Sequence, residues 1–182
     1  MTVRALHLLG SPVLRQRAEP VSRVDDAVRR FVDDLFETMR AAKGVGLAAN
    51  QVGVAQRVAV VDVGDEDPGE LVLINPRIVE TGAELATAEE GCLSIPGIFS
   101  EVDRPHSIVL EALDRDGKPY RIALSGYKAR AVQHEIDHLD GILFLDRLSA
   151  VKRDLLLAKW KNLRKGKTGY VKEVTPEPAG EL

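Results

Sequence analysis

The sequence predicts an α+β domain built on mainly antiparallel sheet. Residues 22–43 carry one apolar stripe at three- and four-residue steps. Short β-branched runs follow, two of them joined through an Asp-Gly turn. These strands precede the next helix without regular alternation, which argues against βαβ units and a parallel sheet.

In the first helix the stripe is Val24, Val28, Phe31, Val32, Leu35, Phe36 and Met39. Ser22 is placed to cap its start, with Asp25 three positions on, and Gly44 to end it. RVAVVDV (57–63) and ELVLI (70–74) read as strands. HSIVLEALD (106–114) and YRIAL (120–124) read as a hairpin turning at Asp116-Gly117. A second helix is expected from Ser125 to Gly141. A third is expected from Ser149 to about Arg164, with Leu155, Leu156, Trp160 and Leu163 on its buried side. Residues 1–165 are taken as a single domain. From about Gly166 the periodicity is lost, and 166–182, with Pro176, Pro178 and Gly180, reads as a flexible tail.

The composition narrows the function classes. A chain of 182 residues with 25 basic and 28 acidic side chains has a net charge of −3, so no global basic field draws it to DNA. Aromatic residues at 4% give little base-stacking surface. A single cysteine rules out an internal disulfide and a stapled secreted scaffold. No apolar stretch approaches the roughly 18 residues of a membrane span. Gly10, Ser11 and Pro12 interrupt the N-terminal segment before the apolar core of a signal peptide accumulates. A cytoplasmic location is expected.

Three segments carry chemistry. In Gln133-His134-Glu135-Ile136-Asp137-His138, the two histidines are four apart on a helix and share a face. Both imidazoles can reach one metal ion. Glu135 lies about 100° round the helix, off the ligand face yet close enough to hydrogen-bond a water there. That is the division of labour in His-Glu-x-x-His hydrolases; the competing account is a helix with two surface histidines. In Glu90-Gly91-Cys92-Leu93-Ser94-Ile95-Pro96 the lone cysteine sits in a turn-like stretch between strands. Free cysteine is usually a small buried hydrophobe. Two histidines nevertheless leave a catalytic metal one protein ligand short, and a thiolate suits borderline-soft ions better than magnesium or calcium.

The third segment, Gly44-Val45-Gly46-Leu47-Ala48-Ala49-Asn50-Gln51, formally matches the dinucleotide fingerprint G-x-G-x-x-A, with Asp62 and Asp65 downstream. That fingerprint follows a strand and opens a helix, whereas this segment follows one, so a nucleotide site is rejected. Bare glycines would let a substrate backbone lie close, and the Gln51 amide could donate to a developing oxyanion. A glycine-marked helix end remains the alternative.

Together GVGLAANQ (44–51), EGCLS (90–94) and QHEIDH (133–138) closely resemble the three signatures of the peptide deformylase family, unbroken and in order. LLGSPVLRQRAEPV (8–21) and LDGILFLDRLS (139–149) also look like that family, and the likeness runs from about residue 5 to 165. The resemblance implies antiparallel sheets around a central helix bearing the two histidines, with an N-terminal and a C-terminal helix. It implies hydrolytic removal of formate from the N-formylmethionine of newly made polypeptides. It makes Cys92, His134 and His138 the ligands of one divalent ion, ferrous iron in the cell, with nickel, cobalt or zinc also accepted. Glu135 becomes the general acid and base, Gln51 and the Leu93 N–H the oxyanion donors, and Arg104 the partner of Asp137. Gly46 would exclude larger acyl groups, while Val45 and Ala131 would wall the methionine slot. Ser11, Tyr127 and Arg130 depart from common family forms, which leaves the lining of that slot open.

The last helix is locally basic: Lys152, Arg153, Lys159, Lys161, Arg164, Lys165 and Lys167 stand against Asp154. Its two readings are a solvated face and a contact with ribosomal RNA near the nascent-chain exit. Three rivals to the deformylase reading are separable. A zincin-type peptidase would want a third ligand after the helix, and no histidine follows His138. A cysteine hydrolase would use Cys92 as nucleophile and survive metal loss. A non-catalytic metal module would need a fourth protein ligand, and His7 and His106 lack context for it.

Overall fold

The computed structural model describes residues 1–64 and 67–176; Asp65 and the last part of the expected tail, 177–182, lie outside the described residues. In chain order the elements are β1 (Leu6–His7), α1 (Asp26–Ala41), β2 (Gly46–Ala48), β3 (Val58–Asp62), β4 (Glu70–Thr81), β5 (Leu85–Gly91) and β6 (Phe99–Pro105). They continue with β7 (Ser107–Leu113), β8 (Pro119–Ser125), α2 (Gly126–Leu139), α3 (Ala150–Leu163) and β9 (Val171–Lys172). The fold is α+β, as predicted. An antiparallel sheet runs in the order β2-β3-β4-β7-β8, while β5-β6 and β1-β9 form separate antiparallel ribbons.

Around β3 both faces of the large sheet are covered, which is why this strand reads as a continuous apolar run rather than an alternating one. Successive side chains of a strand point to opposite faces. Ala59 and Val61 pack with Ala129, Val132, Ile136 and Leu139 of α2. Val58 and Val60 pack with Val32, Leu35 and Met39 of α1. On its other sides α2 is tied to the β5-β6 ribbon: Gln133 Nε2 donates to Pro105 O at 3.0 Å, Arg130 Nη1 to Val102 O at 2.9 Å, and Arg130 Nη2 to Ala86 O at 2.8 Å. The helix with the two histidines is therefore the centre of the molecule. A third core, with Ile95, Ile98, Leu143, Phe144 and Trp160, lies under the ribbon loop and α3.

Several elements differ from expectation. α1 starts four residues later than predicted, capped by Asp25, whose side chain accepts from Val28 N at 3.0 Å. Its preceding chain is held extended because Asn75 grips Val21 on both sides: Val21 N donates to Asn75 Oδ1 and Asn75 Nδ2 donates to Val21 O, each at 2.8 Å. Lys43, at φ 58°, makes the left-handed turn that closes α1, one residue before the glycine expected there. β4 continues well beyond residue 74: Asn75-Pro76 produces a register shift against β7 rather than an end. β5 and β6 were missed. On α3, Trp160 is buried and Leu156 and Leu157 are partly so, whereas Leu155 is 67% and Leu163 42% exposed, against the predicted face. The expected loose tail is paired in part, because β9 joins β1. Among the described residues no helix is long and apolar enough to cross a membrane.

The Asn75 clamp is testable by Asn75→Ala, which removes both bonds to Val21 and puts a Cβ-bearing residue without a polar side chain at φ 50°. Denaturant unfolding should show a loss of about 2 kcal/mol; an unchanged midpoint would contradict this account of where α1 begins.

Candidate metal centre

α2 sets His134 and His138 one turn apart, and their Nε2 atoms stand 3.2 Å from each other. The loop closing β5 onto β6 brings Cys92 Sγ to 3.3 Å from His138 Nε2. The three donor atoms all lie within 4.8 Å of one another. Tetrahedral coordination with metal–nitrogen bonds of about 2.1 Å separates two nitrogens by about 3.4 Å. The observed spacing fits a shared cation, and so does the chemistry of one thiolate and two imidazoles. His134 Nδ1 meets Glu90 Oε1 at 2.9 Å. That bond puts the ring proton on Nδ1 and leaves the Nε2 lone pair facing the cluster.

Glu90 is the hub of a buried ionic network. Arg104 holds it through Nε at 2.6 Å and Nη2 at 2.9 Å, and Arg130 Nη1 reaches it at 2.6 Å. Arg104 Nη1 also reaches Asp137 Oδ2 at 2.9 Å, and Arg147 grips the same carboxylate at 3.1 and 2.6 Å. The expected Arg104–Asp137 pair is thus present and buried, with side chains 3% and 9% exposed, rather than a solvated surface pair. Burial alone would raise the Glu90 carboxyl, but hydrogen bonds from His134 and Arg104 hold it at about 2.

The remaining predicted residues share one cleft of about 690 Å³ with the cluster. Val45, Gly46, Gln51, Leu93, Ala131 and Glu135 all line it. Gln51 is 1% exposed. Its Oε1 accepts from Ala48 N at 3.0 Å, which turns Nε2 toward Ser94 Oγ at 3.2 Å and Cys92 Sγ at 3.6 Å. Glu135 is buried, and its Oε2 has no hydrogen-bond partner. Burial pushes its carboxyl up to about 7 against the pull of the His134 and Arg104 charges. Gly46 has a local reason to be glycine: a Cβ there would overlap Glu135 Oε1. Tyr127 and Arg130 line the cleft as well, with the Arg130 guanidinium turned into the network.

The sequence assigned no role to Glu90 or Arg147, and marked Arg130 only as a departure near the side-chain slot. Glu90 stands two residues before the cysteine and Arg130 four before His134. One helical turn separates Arg130 from a ligand, a spacing that could have flagged it.

Comparison with known proteins agrees with the geometry. A family model described as Polypeptide deformylase matches residues 3–154. The chain is 46% identical over 169 residues to a peptide deformylase of Mesorhizobium japonicum, covering 92% of this chain and 96% of that relative. It is 49% identical over 152 residues to peptide deformylase 1 of Pseudomonas syringae pv. tomato, covering 84% and 90%. The crystal structure of a peptide deformylase from Ehrlichia chaffeensis in complex with actinonin superposes with a TM-score of 0.84 at 42% identity, over 92% of this chain and 100% of that one. One from Legionella pneumophila gives 0.82 at 40% identity, again over 92% and 100%.

Removing one partner of a buried ion pair costs about 3–5 kcal/mol, so Glu90→Gln should destabilise the protein at neutral pH. A carboxyl held at about 2 against an ordinary 4.5 stabilises the fold fully above about pH 4.5 and loses that contribution as pH falls toward 2. The unfolding midpoints of parent and variant should converge across that window; a constant gap would contradict the network.

Proposed function

The chain belongs to the polypeptide deformylase family, and from that premise we propose how its own residues remove the formyl group from newly made polypeptides. The reaction is hydrolysis: water adds to the formyl carbon of an N-terminal formylmethionine, the C–N bond breaks, and formate and a free amine leave. The family is metal-dependent, and Cys92, His134 and His138 form the donor set that would hold the ion. We assign ferrous iron in the cell, with nickel, cobalt or zinc as substitutes, since all accept two nitrogens and a sulfur. Bound there, a divalent cation supplies Lewis acidity that makes water a competent nucleophile near neutral pH.

Glu135 takes the proton from the attacking water and returns it to the methionine nitrogen as the amine departs. A carboxyl poised at about 7 suits both halves of that task. Gln51 Nε2 and the Leu93 N–H donate to the formyl oxygen as it gains charge, each worth about 3 kcal/mol in the transition state. Gly46, where even a Cβ would overlap Glu135, makes this side of the cleft tight, and we assign to it the exclusion of acyl groups larger than formyl. Val45 and Ala131 wall the slot for the methionine side chain. Action on nascent chains puts the enzyme in the cytoplasm. The observation that carries this reading is the Glu135 oxygen, buried and unpartnered, beside a three-donor cluster.

Contact with the ribosome is the further partner we propose. Lys152, Lys159, Lys161, Lys165 and Lys167 are all exposed on α3 and just beyond it, a basic strip on an otherwise acidic chain.

Two experiments test these assignments. Glu135→Gln should keep its metal, measured by elemental analysis after anaerobic purification, and lose formate release from formyl-Met-Ala by at least about 100-fold. The parent should release formate from formyl-Met-Ala and cleave the matched N-acetyl peptide at least about tenfold more slowly. Parental turnover in the variant would remove Glu135 from the mechanism. Ribosome co-sedimentation should weaken steeply with added salt, and binding that is absent or indifferent to salt would count against the basic strip.

A further inference from the structure

Residues 170–175 run back to the cleft. Leu8 N donates to Tyr170 O at 2.7 Å, and β9 then pairs with β1, Leu6 opposite Lys172 and His7 opposite Val171. Past the strand, Val174 packs against the apolar cluster beneath α1. From the first anchor to just past the second, the four residues Lys172, Glu173, Val174 and Thr175 line the same cleft as Cys92, Gln51 and Glu135. Ordering each backbone residue costs roughly 1–2 kcal/mol. The paired strand and the partly buried valine offset that cost and fix the segment as part of the cleft.

The residues already assigned to the reaction account for the formyl group and the methionine. They leave the chain-terminal part of the lining without a task. A formyl peptide that places its carbonyl at the cluster must send its following residues out along the cleft, about 3.3 Å for each extended residue. We propose that Lys172–Thr175 is a specificity wall that meets the peptide residues following formylmethionine and reads their charge through Lys172 and Glu173. Both side chains are exposed, and both residues line the cleft. The segment therefore offers an ammonium to an acidic peptide side chain and a carboxylate to a basic one. The inference rests on the deformylase reading and extends it from the first residue of the substrate to the next ones.

The test compares formyl-Met amide with formyl-Met-Ala-Lys and formyl-Met-Ala-Glu as substrates for the parent, for Glu173→Lys, and for a chain ended after Val171. In Glu173→Lys, KM for formyl-Met-Ala-Lys should rise roughly fivefold, the scale of one exposed ion pair, with kcat held and KM for formyl-Met amide unmoved. The shortened chain should show a raised KM for both charged peptides and an unmoved KM for formyl-Met amide. If it does not fold, Glu173→Lys alone decides. Unchanged constants for every peptide overturn the wall, and so does an equal KM change for formyl-Met amide, which would mean a disturbed catalytic centre. A parent that releases no formate from any of the three would instead overturn the activity itself.

Discussion

The hydrogen bond between Glu90 and His134 is the joint on which the rest of the site hangs. Glu90 ends a strand and His134 lies in the central helix, so the bond fastens the loop carrying Cys92 to the element carrying both imidazoles. Only then can a sulfur and two nitrogens, remote in sequence, share one small volume. Arg104 and Arg130 neutralise Glu90, and Arg104 continues to Asp137, so that each of these buried charges is paired. Such networks gain little net stability, because desolvation offsets most of the attraction. What they supply here is position: a ring held in one tautomer and one orientation.

The large sheet serves the same end by a different route. With a helix on each face, β3 is apolar on both, and α2 is buried nearly all round. A helix buried in this way has its polar residues aimed at other polar groups or at the cleft. Gln133 and Arg130 bond backbone carbonyls of the β5-β6 ribbon, and Glu135 faces Gly46 at the edge strand β2. Glu135 is thereby kept out of water and close to the donor cluster, and burial raises its carboxyl into the range where it can both take and give a proton.

Much of this was legible in the residues. The α1 stripe, the Asp-Gly hairpin and the His-Glu-x-x-His face follow from period and spacing alone. Cys92 could be recruited only because the two histidines lacked a third partner and the three motifs resembled one family. The β5-β6 ribbon escaped notice for a physical reason: it buries Glu90, Val102 and Arg104, two of them charged, and so carries no apolar alternation. The same fact hid Glu90, since a carboxylate is ordinarily read as a solvated group. α3 misled in the opposite sense. Its leucines are arranged around much of the helix, and packing selected Leu156 and Leu157 over Leu155 and Leu163. β9 is two residues long, too short for any pattern, and its place depends wholly on the partner strand.

X-ray absorption at the metal edge of the zinc-substituted protein addresses the central claim most directly. The account predicts one sulfur at about 2.3 Å and two imidazole nitrogens at about 2.0–2.1 Å, the sulfur shell vanishing in Cys92→Ala. A first shell of oxygen and nitrogen alone in the parent protein would contradict it.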